Sequence, residues 1–181
     1  MIIHKLTSFY LILLGGILFG GSPIRDAAEK YIISQFDVDA SISMHTLKLD
    51  VGLKALVQNK VKQRFYRNEL YYWTISNNDT TIAYALMDNV IGKSMPITFL
   101  VILNNEGAIL ASKVIKYREA YGGEVGNKNW LAQFTNFTDT SQITVGKNID
   151  GISGATISVN SLSKGIQKIA VLFPQIKDKL N

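Results

Sequence analysis

Three features of the sequence predict an α+β domain: an antiparallel sheet of about four strands flanked by helices. Stretches of helical periodicity stand toward the two ends of the chain, strand-like runs crowd its middle, and the two kinds do not alternate as they would in a doubly wound sheet.

The elements follow in order. Lys5 precedes an uncharged run from Leu6 to Gly21, rich in Leu, Ile, Phe and Gly. At about 1.5 Å rise per residue this run spans roughly 24 Å, a little less than a bilayer core of about 30 Å. That length suits the apolar part of a signal peptide or a tight single-pass anchor. Residues 1–22 are therefore expected to form an N-terminal hydrophobic targeting or anchor helix, and residues 23–181 the folded domain beyond the membrane. Small residues Gly20, Gly21 and Ser22 stand near a possible cleavage point. Residues 24–36 place Ile24, Ala27, Ala28, Tyr31 and Ile32 along one helical face, and 47–65 do the same with Leu49, Leu53, Leu56, Val57, Val61 and Phe65. The period then changes. Residues 70–76 and 80–87 are rich in Tyr, Trp, Ile and Thr, with the turn chemistry of Asn77-Asn78-Asp79 between them. Residues 96–103 (PITFLVIL) are almost continuously apolar, as a strand buried on both faces must be. Asn104 to Gly107 is a hairpin turn, and 108–117 return as the fourth strand. A glycine-bearing loop leads to a short helix at 129–134, and a last helix is expected over 158–173. Its apolar stripe is Leu162, Ile166, Ile169 and Phe173, and Pro174 is expected to end it.

Composition removes several function classes. The 181 residues are 47% hydrophobic and 18% charged, a globular balance. There are no cysteines, which excludes disulfides, thiolate metal sites and a cysteine nucleophile. The two histidines are His4, inside the targeting run, and His45, so a His-metal or Ser-His-Asp hydrolase has little to build on. The net charge of +5 is spread along the chain and does not form a nucleic-acid patch; no nucleic-acid partner is expected.

The segment Asp150-Gly-Ile-Ser-Gly-Ala-Thr-Ile-Ser158 stands immediately before the last helix. Small side chains admit a close approach to the backbone, and Gly154 opens conformations closed to other residues. A helix start leaves N–H groups unpaired and carries partial positive charge, which favours a phosphate. Ser153, Thr156 and Ser158 add hydroxyls. The same residues also suit plain helix capping, in which a Ser or Thr side chain satisfies the first N–H groups. On physical grounds both readings stand.

DGISGATIS resembles the flavinylation motif of the FMN-binding domain family, which reads Asp, two variable residues, Ser-Gly-Ala-Thr, one variable residue, then Ser or Thr. Asp150, Ser153, Gly154, Ala155, Thr156 and Ser158 meet every fixed position. The resemblance extends over about residues 96–169. The family includes the FMN-carrying C subunit of the Na+-translocating NADH:quinone reductase and the G subunit of the Rnf complex. Those subunits carry a His-x-Glu-Thr-Pro-Gly-like stretch where this chain has Tyr117-Arg-Glu-Ala-Tyr-Gly-Gly-Glu124, so the likeness is greater to small stand-alone members. The resemblance implies FMN joined through its phosphate to the Thr156 hydroxyl by a separate Mg2+-dependent FAD:protein FMN transferase. Asp150 and the small residues would be the surface that this enzyme recognises. It further implies an electron carrier on the periplasmic side, exchanging electrons with redox partner proteins, some of them membrane-bound.

The loop from Tyr117 to Gly126 is the candidate for a second cofactor contact. Gly122 and Gly123 permit close approach, and Glu119 or Glu124 could accept a hydrogen bond from a flavin ring N–H. Arg118 and Lys147 are candidate phosphate partners, and Tyr121 and Trp130 candidate stacking rings. Three readings of function are open: a one-domain redox carrier, a small flavin-dependent reductase using Glu124, Tyr121 or Arg118 as proton donor, and a non-catalytic exported binding or assembly module.

Overall fold

The computed structural model describes residues 22–36 and 39–180, so the targeting or anchor helix falls outside the described residues. The fold is α+β. Helix α1 spans Pro23–Ile33, strand β1 Ser41–Lys48, helix α2 Val51–Val61, and strands β2 to β5 Glu69–Asn77, Thr80–Ile91, Pro96–Asn104 and Ile109–Lys116. A one-turn helix α3 at Lys128–Leu131 and the long helix α4 at Thr156–Ile176 follow. Among the described residues, no helix is long and apolar enough to cross a membrane.

The sheet is a five-stranded antiparallel meander in the order β1-β2-β3-β4-β5. Each turn is dictated locally. Between β2 and β3, Asn78 and Asp79 both adopt positive φ, 47° and 60°, the geometry of a tight two-residue hairpin turn that Asn and Asp tolerate best. Between β4 and β5, Gly107 supplies a φ of 84°. The β4 sequence is buried along almost its whole length because both faces of the sheet are covered. On one face Tyr84, Leu86, Phe99, Val101 and Leu103 pack beneath α4 and α2. On the other Trp73, Ile75, Ala85, Leu100 and Ile102 pack beneath α1 through Ala28 and Ile32.

The expected helix over 47–65 is three things: the end of β1, the helix α2 and an extended tail. Asp50 starts α2 by accepting a 2.7 Å bond from the Leu53 N–H, and Lys62 stops it in the left-handed conformation, φ 57°. Leu49 therefore precedes the helix, and Leu56 is exposed rather than part of a buried face. β1 is the strand absent from the expected four. Its sequence, SISMHTLK, is largely polar because it is a sheet edge whose residues are nowhere fully buried. In α1 the buried positions are Ala28 and Ile32, with Ala27 exposed. The last helix is longer than expected at both ends: it starts at Thr156 and runs through Pro174 to Ile176. A proline this close to a helix C-terminus forfeits a single backbone bond, and the buried Phe173 and Ile176 on either side hold the turn in place. The stripe of Leu162, Ile166, Ile169 and Phe173 is wholly buried, as its spacing requires.

Candidate functional site

Three segments meet at the start of α4. The first is the helix mouth itself. Residues 151–155 are irregular, Gly154 takes a φ of 79°, and the chain enters α4 at Thr156, which is exposed. The residue preceding the helix is Ala155, and no side chain caps it. The first intrahelical bond runs from the Val159 N–H to the Ala155 carbonyl at 2.9 Å. The N–H groups of Thr156, Ile157 and Ser158 come before it and have no acceptor within the helix.

The second segment is the loop after β5. Gly122 has a φ of 82°, and a Cβ there would lie 2.8 Å from Tyr117 Oη and 3.1 Å from the Ala155 Cβ. Only glycine lets this loop fold flat against the helix mouth. Tyr117 fastens it: its hydroxyl donates to the Tyr121 carbonyl and lies 3.2 Å from Ser158 Oγ. Ser158 is buried and belongs to this joint.

The third segment is the β3–β4 turn, residues 92–95. Glu119 Oε1 accepts from the backbone N–H groups of Ser94 at 2.7 Å and Met95 at 2.9 Å. These bonds, that to Met95 first, favour the ionised form and hold the Glu119 carboxyl below the ordinary glutamate range. A Cβ on Gly92 would stand 2.7 Å from Glu119 Oε1 and 3.2 Å from Ser158 Oγ, so this turn too is packed against the site without slack.

Between the three segments lies an open groove of about 570 Å³. Gly154 to Ser158 form one part of its wall, Glu119, Ala120 and Tyr121 another, and Lys93 and Ser94 the third. Tyr121 projects into solvent at 86% exposure, and Ile157 is also largely exposed. The volume is in the range of small-molecule and cofactor sites.

The expected site residues divide around this groove. Gly154, Ala155, Thr156, Ser158, Glu119 and Tyr121 line it, and Gly122 shapes it. Ser153 and Gly123 are exposed close by in sequence but do not line it. Asp150 and Glu124 line a second groove, of about 350 Å³, together with Trp130 and Gln133. There the Asp150 carbonyl accepts from Trp130 Nε1 at 2.8 Å and its N–H donates to Gln133 Oε1 at 2.9 Å, which pins the start of the motif to the short helix. Trp130 is a core ring stacked edge-on to Phe134. Arg118 points elsewhere: its Nη1 donates to the Pro96 carbonyl and to Thr98 Oγ1, both at 3.0 Å. Lys147 is exposed and outside the groove. Lys93 and Ser94 escaped the reading of the sequence, and Tyr117 entered it only as the start of the 117–126 loop. The signal available was Gly92-Lys93-Ser94, a turn between two apolar strands, but nothing in one dimension places that turn beside residue 156.

No curated protein matches the chain. The model of the FMN-binding domain family matches residues 92–171. The matched span opens at Gly92 and closes in α4, so it takes in every residue that lines the groove. Over residues 92–171, the chain is thus similar to the FMN-binding domain family.

Proposed function

We infer that this flavin-binding chain is an electron-transfer flavoprotein whose FMN is carried as a phosphoester on Thr156. The observation that carries the reading is the pairing of an exposed threonine with an uncapped helix mouth, both opening on one groove. Helix capping, the other use of a Ser/Thr-rich segment at this position, loses its basis because no side chain caps α4. The first-turn N–H groups and the helix dipole suit a phosphate on the Thr156 oxygen. The groove offers room for the ring system.

Attachment fits a transferase that uses FAD. The Thr156 oxygen attacks the phosphorus on the FMN side, a P–O bond forms, the pyrophosphate linkage breaks, AMP leaves, and the hydroxyl proton goes to a base of the transferase. Once bound, FMN supplies reversible electron transfer. The residues of this chain tether it, shape its wall and leave one side open to a partner. The hydrophobic run before residue 22 suits a carrier held at, or exported to, the periplasmic face of a membrane, where a tether would keep the cofactor from escaping and redox proteins would be its donor and acceptor.

A stand-alone reductase needs a proton donor beside the ring. Of the three candidate donors, Arg118 and Glu124 do not line the groove, and Tyr121 lines it but projects into solvent at 86% exposure. That distribution favours the carrier. Coexpression with an FAD:protein FMN transferase should give a fluorescent band on a denaturing gel and a mass raised by one FMN, both lost in Thr156→Ala. A covalent flavin that survives this change puts the attachment elsewhere, and turnover of a small acceptor without a partner protein argues for the reductase.

A further inference from the structure

We propose that Lys93 is the residue that sets the charge balance of the flavin, its ammonium pairing with the pyrimidine edge of the ring system tethered to Thr156. The proposal rests on the Thr156 reading. Among the described residues, the charged side chains that line the groove are Lys93 and Glu119. They are not equivalent. Glu119 is turned onto the backbone N–H groups of Ser94 and Met95. Its carboxylate therefore serves the turn that carries Lys93, and Gly92, with no space for a Cβ, locks the same turn against Glu119 and Ser158. Lys93 thus leaves a fixed backbone on a wall of the groove that α4 does not supply.

The two ends of a tethered FMN make different demands. Its phosphate lies at Thr156, where three unpaired N–H groups and the helix dipole already supply positive partial charge. Uptake of two electrons and one proton from a donor protein leaves the ring with one more negative charge, concentrated at its pyrimidine edge. A cation there favours the reduced form by direct Coulomb attraction, the more so in a groove partly shielded from water. The first turn of α4 brings no charged side chain, since it reads Thr156-Ile157-Ser158, so among the described residues that line the groove Glu119 is the carboxylate that competes for Lys93.

The test uses the full chain loaded by a transferase, as wild type, Lys93→Gln and Lys93→Arg, with loading verified by mass. Midpoint potentials are read against a reference dye across neutral pH. Lys93→Gln should shift the reduced-to-oxidised ratio about tenfold toward the oxidised form, which is about 30 mV for a two-electron couple. Its reduction should also take up two protons per two electrons where the wild type takes up one. Lys93→Arg should restore both. A loaded Lys93→Gln protein with the wild-type potential and proton count overturns the proposal, and so does a variant whose only defect is poorer loading, since that assigns Lys93 to the phosphate. A wild-type chain that carries no FMN on Thr156 removes the tether and this proposal together; unchanged potentials on a loaded chain remove this proposal alone.

Discussion

The Lys168 ammonium lies 2.8 Å from Asp88 Oδ2 in the core, with 0% and 5% of the two side chains exposed. Lys168 sits on the apolar side of α4, and Asp88 on β3. The ammonium also donates to the Arg64 carbonyl at 2.9 Å and lies 4.3 Å from the centre of the Phe65 ring. Asp88 Oδ2 faces the ammonium, and its Oδ1 accepts from the Asn89 N–H at 2.7 Å. Burial pushes the Lys168 pKa down and the carboxylate pushes it back up. One ion pair thus ties the helix that carries Thr156 to the sheet and to the tail after α2.

Removing one partner leaves the other charge buried and unpaired. Lys168→Met is expected to cost about 3–5 kcal/mol in urea denaturation. Adding Asp88→Leu to it should return much of that loss, because a well-packed apolar pair replaces the ions. A single variant as stable as the wild type would show that the pair is not compensating burial.

Glu119 makes the turn at residues 92–95 sensitive to acid. Its native carboxyl is held below the ordinary value of 4.5 by the Met95 and Ser94 N–H groups. In the unfolded chain the same carboxyl binds a proton first as pH falls, so the unfolded state holds more protons in that window. The contribution is complete above about 4.5 and disappears as pH drops through the native value. Amide exchange at Ser94 and Met95 should accelerate over that acid range in the wild type. In Glu119→Gln it should be fast already at neutral pH, and equal protection in the two proteins would contradict the clamp.

Gly122 and Gly154 share a left-handed backbone and differ in surroundings. A Cβ at Gly122 meets Tyr117 Oη and Ala155, whereas at Gly154 it meets nothing within 4 Å. Gly154→Ala should therefore cost about 1–2 kcal/mol, the backbone penalty alone. Gly122→Ala adds the overpacking term, about 1–3 kcal/mol more. Thermal denaturation of both variants ranks them, and equal losses would mean that the loop at Gly122 moves aside freely.

Periodicity revealed the parts of the fold that are buried and regular. Residues 96–103 announced a strand covered on both faces, and Leu162, Ile166, Ile169 and Phe173 announced the face of α4. What it missed was set by tertiary surroundings. β1 is an edge strand with little apolar patterning, and α2 is delimited by Asp50 and Lys62 rather than by a change in hydrophobicity. Lys168 reads as a solvated residue until Asp88 arrives from a strand 80 positions away. At the site, the motif around Thr156 was legible because its chemistry is local. The loop that starts at Tyr117 was legible through its glycines, but Lys93 and Ser94 were not, since the meander brings their turn to the motif through strands β4 and β5. The same geometry explains why Glu119 and Glu124, near neighbours in sequence, open on different grooves: the left-handed Gly122 turns the chain between them.

Helix α4 roofs much of one face of a sheet that is already complete at Lys116. During synthesis the ribosome therefore releases five paired strands long before the segment that shields Tyr84, Leu86, Phe99 and Val101 leaves the exit tunnel. A nascent chain halted at residue 155 would leave much of that greasy surface uncovered, and chaperones or self-association would claim it. Supplying residues 156–180 as a separate peptide should rescue its solubility, and failure to do so would mean that the meander cannot wait for its roof.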